Sequence, residues 1–203
     1  MRALRVMIAG EGRNELGDWA IEAVHRQGQS EPGVVEALLR RVRTDGWAVT
    51  RAICWKDIRK FRAGRHGDAD KRGVLGLVLQ AKEAGVDVVA FVRDRDGQVD
   101  RVGSIEAGIS AACELIADGP RIAGGIAVRT LESWILALAG RPRSEAYGPT
   151  KTAEALVAID VKPKDTRGMV AVVERARLDA LPADAASLRT WLARAEDALT
   201  DGP

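Results

Sequence analysis

Short apolar runs alternate along the chain with longer stretches in which apolar residues recur at helical spacing. Residues 3–10 (ALRVMIAG) form a short apolar run with Val and Ile inside it and Gly at its end. That is the pattern of a buried parallel strand. Residues 47–55 (WAVTRAICW), 86–92 (VDVVAFV) and 122–128 repeat it and predict three further strands. Between them, Val34, Val35, Leu38, Leu39 and Val42 fall on one face of a helix expected over Pro32–Arg43. Asp18–Arg26, Val74–Ala84, Ile105–Ala117 and Thr130–Ala139 also read as helices, the second of these closed by Gly85 as a C-cap. Asp45-Gly46 marks a turn. Lys56–Arg72 has no period and is rich in Lys and Arg, which predicts a basic loop.

Short strands alternating with helices of about a dozen residues predict βαβ units. The expected fold is therefore α/β, a mostly parallel four-stranded sheet flanked by helices. After Gly140 no strand pattern remains. Thr152–Ile159, Met169–Ala176 and Ala185–Leu199 read as helices, punctuated by Pro142, Pro149, Pro163 and Pro182. The division this suggests is an α/β domain over 1–140 and a helical extension over 141–203 packed on the same core.

Composition changes this picture little. The 203 residues are 46% hydrophobic and 30% charged, ordinary for a globular protein and against disorder. A net charge of +2 neither demands nor excludes a nucleic-acid partner. Cys54 and Cys113 stand in a strand and a helix pattern and read as reduced core residues, without a disulfide framework or metal-ligand spacing. The first apolar run is too short for a membrane span and leads into a charged loop, so a cytoplasmic protein with no membrane association is expected.

The chemistry concentrates at two strand ends. The first strand runs into Gly10-Glu11-Gly12-Arg13-Asn14-Glu15, and the third into Arg93-Asp94-Arg95-Asp96-Gly97. In a parallel sheet the carboxyl ends of the strands open on one edge, where ligands bind. Carboxylates forced together there cannot all stay ionised without compensation. A hard cation such as Mg²⁺, or Mn²⁺ in its place, supplies it. Gly12 and Gly97 leave room for a phosphate to approach. A cation in such a place polarises a phosphoryl oxygen, and a pair about 4 Å apart clamps both attacking and leaving oxygens. A shared ion requires Glu11 to stand within about 10 Å of Asp94 or Asp96. The plainer alternative is that these acids cap helices and solvate turns.

The two motifs together resemble the Toprim domain of type IA and type II topoisomerases, bacterial primases and the overcoming-lysogenization-defect nucleases. That domain has a Glu after its first strand and an Asp-x-Asp after a later one. Glu11-Gly12-x-x-Glu15 is similar to the nuclease branch, and Leu131-Glu132-Ser133-Trp134-Ile135-Leu136 resembles a helix opening in small stand-alone Toprim-like proteins of unknown function. The resemblance covers roughly residues 3–139. It implies catalytic roles for Glu11, Asp94 and Asp96, with Glu15 and Glu132 as accessory metal ligands. It further implies a Mg²⁺-dependent nuclease acting on nucleic acid, DNA first, in phage defence or repair. The nuclease relatives often act beside an ATPase, and no phosphate-binding Gly-x-x-x-x-Gly-Lys loop is present here, so that partner would be encoded separately. A homodimer is left open.

Several residues keep two readings. Lys56, Arg59, Lys60, Arg62 and Arg65 of the basic loop could grip a phosphate backbone or simply solvate the loop. Lys56, Arg93, Arg129 and Lys151 are all candidates for a basic residue beside the scissile phosphate, and no spacing selects one. His66 reads better as a surface histidine than as a general base, and His25 as structural. Trp134 and Trp191 read as core, whereas Trp19 could line the site. Glu132 could be a first-turn acid favoured by the helix dipole. Competing functions are a small-molecule phosphatase, a non-catalytic or partner-dependent subunit, and a receiver-type phospho-acceptor. For the phosphatase, Asp94-Arg95-Asp96-Gly97 resembles the haloacid-dehalogenase nucleophile motif, but it follows the wrong strand.

Overall fold

The computed structural model describes residues 2–20, 31–61, 68–162 and 164–200. Four strands, β1 (Leu4–Gly10), β2 (Trp47–Cys54), β3 (Val88–Asp94) and β4 (Arg121–Ala127), form one sheet in the order β2-β1-β3-β4. All three strand pairings are parallel. The fold is thus α/β. Eight helices accompany the sheet among the described residues. They are α1 (Arg13–Leu16), α2 (Val34–Val42), α3 (Ala69–Glu83), α4 (Arg101–Leu115), α5 (Leu131–Leu138), α6 (Pro149–Val157), α7 (Thr166–Arg175) and α8 (Ala186–Leu199).

Residue parity along the strands sorts the core into two layers, because successive side chains point to opposite faces of a sheet. Val6, Ile8, Val88, Ala90 and Val92 pack on one face with residues of α2, α5, α7 and α8. Met7, Ala9, Val89 and Phe91 pack on the other with α3, α4 and Trp55. Both faces of β1 and β3 are covered, which is why their sequences read as unbroken apolar runs rather than alternating ones. Edge strand β2 is only half-buried.

The C-terminal helices complete the first layer. Met169, Val173, Leu188 and Trp191 are fully buried there. The Trp134 and Trp191 rings lie 6.0 Å apart. The Trp191 indole donates to the Phe91 carbonyl at 2.9 Å, and Arg194 donates to the Gly124 carbonyl at 2.8 Å. Gly125 faces α8, where a Cβ would lie 3.4 Å from the Trp191 ring, and on the other face a Cβ at Gly124 would come within 2.1 Å of the Phe91 ring. Both tryptophans are therefore core residues, as expected.

Three expectations need correcting. The basic stretch Lys56–Arg72 is not a loop throughout. A 3₁₀ turn spans Trp55–Asp57, and α3 begins at Ala69 rather than Val74. Asp68 caps that helix, accepting from the backbone N–H groups of Asp70 and Lys71 at 3.0 and 2.9 Å. The first turn is polar, so hydrophobic periodicity does not register it. Cys113 is exposed on α4 rather than part of the core. Of the helix expected over 18–26, residues 17–20 form a 3₁₀ turn after α1, and the rest, His25 included, lies outside the described residues. No helix among the described residues is long and apolar enough to cross a membrane.

Candidate functional site

The strand order makes β1 a neighbour of both β2 and β3. The chain leaves β1 to one side and returns on the other, which opens a crevice between β1 and β3 at their carboxyl ends. Glu11 follows β1 directly, and Asp94 is the last residue of β3. The two residues touch: Glu11 Oε1 accepts from the Asp94 backbone N–H at 3.2 Å. That is well inside the separation of about 10 Å that a shared ion tolerates.

Each acid is held by identifiable partners. Glu15 lies in α1, buried, and its Oε2 accepts from the Gly12 N–H at 2.8 Å. Gly10 permits this, because a Cβ there would fall 2.3 Å from the Glu15 Cβ. Burial pushes the Glu15 carboxyl above the usual carboxylate range; backbone hydrogen bonds at Glu15 and Gly12 oppose the shift, while the charges of Glu11 and Glu132 add to it. Asp94 Oδ1 accepts from the Leu131 N–H at 2.8 Å and so caps α5. Its carboxyl is pushed up to about 8, first by burial and then by the negative charges of Glu15, Glu11, Glu132 and Asp96. Acids from three strand ends therefore act on one group. Glu132 is half-buried in the first turn of α5, where its charge also suits the helix dipole. It has no ion pair among the described residues.

Arginines counter the remaining acids. Glu11 pairs with the Arg93 guanidinium. Asp96, exposed and at a left-handed φ of 49°, pairs with Arg101 at 3.0 Å. Arg101 is buried, and it also donates to the Asp94 carbonyl at 2.6 Å and to Asp70 at 3.0 Å. Asp70, from the first turn of α3, lies 3.6 Å from Arg93 Nε. The result is an alternating chain, Glu11–Arg93–Asp70–Arg101–Asp96, laid across the ends of β1 and β3.

Nothing local in the sequence points to Asp70 or Arg101 as part of the crevice. The Asp-Ala-Asp before an apolar run is a readable helix start and no more. Of the four basic candidates, all among the described residues, only Arg93 pairs with an acid of the site through its side chain, while the Arg129 carbonyl accepts from the Asp96 N–H at 3.4 Å. Lys151 instead lies 4.0 Å over the Tyr147 ring, and Arg129 is exposed after β4. Lys56 and Lys60 are exposed. Arg59 is engaged along α3 by Glu83 at 2.7 Å and Gln80 at 3.2 Å. Arg62, Arg65 and His66 lie outside the described residues. Trp19 packs against the core.

The acids offer carboxylate oxygens, the donor type that a hard divalent cation takes. Glu11 Oε2, Glu15 Oε1, Asp94 Oδ2 and Asp96 Oδ1 accept no side-chain hydrogen bond among the described residues, so each acid keeps an oxygen to offer. A Cβ at Gly12 or Gly97 would meet no atom within 4 Å, so space adjoins both turns. No group of three or more His, Cys, Asp or Glu side chains among the described residues forms a ready metal cage.

No protein-family model matches the chain, and no curated protein or solved structure matches it significantly. Fold and site define a class: an α/β protein with an acidic crevice at the point where its strand order reverses.

Proposed function

We propose that this protein performs metal-dependent phosphoryl transfer on nucleic acid, as a Mg²⁺- or Mn²⁺-dependent nuclease. One observation carries the reading: Glu11, Glu15, Asp94, Asp96 and Glu132, from the ends of three neighbouring strands, share one crevice around Asp94. Glu11, Asp94 and Asp96 would hold the ion, with Glu15 and Glu132 as accessory ligands. The ion, when bound, supplies Lewis-acid polarisation of a phosphoryl oxygen.

The chain's own residues do the rest. Arg93 orients Glu11 and brings a positive charge to the crevice, suited to a phosphate oxygen. Arg101 grips both the Asp94 carbonyl and Asp96, which fixes the turn that presents the pair. Asp94 must give up its proton before it can serve as a ligand, since burial and then the neighbouring acids push its carboxyl up to about 8. Glu15, whose burial raises its carboxyl above the ordinary carboxylate range, is suited to hold or pass a proton beside the ion. The Toprim resemblance extends the proposal to DNA as substrate and to a separately encoded ATPase partner.

The test is cleavage of supercoiled plasmid and single-stranded oligonucleotide with Mg²⁺, Mn²⁺ or chelator. The parent cleaves only with metal, and Asp94→Ala and Asp96→Ala lose activity by at least about a thousandfold. Variants that cleave as well as the parent sink the reading.

A second reading has its own support. Asp94 caps α5 and Asp96 pairs with Arg101, so both acids have structural tasks without an ion. On that basis the crevice is a non-catalytic element of a partner-dependent subunit. Mg²⁺ would then raise the melting temperature while the chain alone leaves every nucleic acid intact.

A further inference from the structure

A cavity of about 510 Å³ adjoins the acidic crevice. It falls within the range of small-molecule sites, about 300–1,000 Å³. Asp96 and Glu132 belong both to its lining and to the acidic crevice, so the two spaces are continuous. The remaining walls come largely from the region after Gly140: Tyr147, Ala153 and Leu156 give an aromatic and aliphatic surface. Two cations, Arg129 and Lys164, also line it. Neither side chain has a hydrogen bond or ion pair among the described residues. Lys151, outside the lining, lies 4.0 Å over one face of the Tyr147 ring.

This combination constrains the occupant. Apolar walls with an aromatic ring favour a flat, largely apolar body, and unpaired cations favour an anion attached to it. Stacking of a base on an aromatic side chain is sequence-tolerant, because every base has a π-face. A phosphate-bearing heterocycle meets both demands, whereas a bare anion leaves the walls unused and an apolar metabolite leaves the cations unused. The acids at the shared boundary repel a phosphate placed among them, so the phosphate belongs beside Arg129 and Lys164.

We propose that this cavity is a nucleotide-binding subsite, which receives one unstacked nucleotide of a single-stranded segment with its base against Tyr147, Ala153 and Leu156 and its phosphate at Arg129 and Lys164. The proposal rests on the nuclease reading for its biological setting and deepens it: the substrate strand is single-stranded or locally opened where it meets the acids. The C-terminal helices then serve substrate recognition as well as the core.

The experiment measures binding of dAMP to the full chain by calorimetry and by NMR titration, in chelator, so that no metal-dependent step enters the readout. Deoxyadenosine and inorganic phosphate are the controls. Expected are saturable dAMP binding, at least about tenfold weaker binding of either control, and a loss of about tenfold in dAMP affinity for Ala153→Phe, which fills the cavity. Lys164→Glu and Arg129→Ala lie on exposed positions, keep the fold, and weaken dAMP by a similar factor; they decide the matter if Ala153→Phe does not fold. Absence of saturable dAMP binding, or binding that none of the folded variants weakens, overturns the proposal. Failure of the two readings is distinguishable. Nucleotide binding of the expected pattern in a chain that cleaves nothing refutes the nuclease and keeps the subsite. Cleavage without nucleotide binding refutes the subsite and keeps the nuclease.

Discussion

The acidic crevice has two halves that differ in how charge is balanced. Glu11 and Asp96 each face an arginine, and Asp70 links those arginines into one alternating chain. Asp94, Glu15 and Glu132 have no basic partner among the described residues; Asp94 and Glu15 rely on backbone N–H donors instead. The consequence shows in the carboxyls themselves: burial and neighbouring charge push Asp94 up to about 8 and raise Glu15 as well. A fold that supplies arginines to one half and withholds them from the other leaves a local deficit of positive charge. That deficit is where a cation gains most.

The contrast can be broken from the balanced side. Arg101 is almost wholly buried and serves Asp70, Asp96 and the Asp94 carbonyl at once. Arg101→Ala leaves Asp70, a mostly buried carboxylate, with only the longer contact to Arg93 at 3.6 Å. The expected cost is about 3 kcal/mol, roughly 6–12 °C in melting temperature. An unchanged melting curve would mean that the alternating chain holds nothing together.

From the unbalanced side, Asp94→Asn removes the crowded charge while keeping an oxygen for the Leu131 N–H. The sign follows from the raised pKa. Between the ordinary value of 3.8 and about 8 the folded state holds a proton that the unfolded state has lost. Metal-free stability is therefore lost as pH rises through that window and is lowest above it. Asn carries no such charge, so above about pH 8 the variant is the more stable, by several kcal/mol at about 1.4 kcal/mol per pH unit of the window, and below the window it matches the parent. Thermal melts in chelator across the window check this; parallel curves for parent and variant contradict it.

Arg93→Ala turns a balanced acid into an unbalanced one. With the guanidinium gone from Glu11, Mg²⁺ meets one fewer positive charge and binds about tenfold tighter by calorimetry, whatever happens to catalysis. Equal or weaker Mg²⁺ binding would show that Arg93 shapes the site rather than opposing the ion. Arg59→Ala is the reference outside the crevice. Its pair with Glu83 is exposed on both sides, so stability changes by less than about 0.5 kcal/mol. A larger loss would mean that surface pairs in this chain carry weight, and that the comparison between the two halves says nothing special about the crevice.

How much of this was readable in advance differs by residue. Val88–Val92 and Val6–Ala9 announced themselves because strands covered on both faces must be apolar at every position. Glu11 and the Asp94/Asp96 pair were legible as acids at strand ends, since chain order alone puts them just after apolar runs. The start of α3 was not, because its first turn is polar and its cap, Asp68, sat inside a stretch read as a basic loop. Cys113 was misplaced because a helical pattern does not say which face meets the sheet.

The sequence by itself determined the alternation of strands and helices, the parallel character of the sheet, and the chemical identity of the acids at its carboxyl edge. These follow from local periodicity and from residues adjacent in the chain. Only the tertiary structure decided that β1 and β3 are neighbours, so that Glu11 reaches Asp94 across 83 positions of sequence. It alone brought Asp70 from α3 between Arg93 and Arg101, and it alone left the Asp94 and Glu132 carboxylates without a cationic partner among the described residues. Charge balance depends on distances between segments far apart in the chain, and Coulomb interactions fall with spatial separation, not with sequence separation.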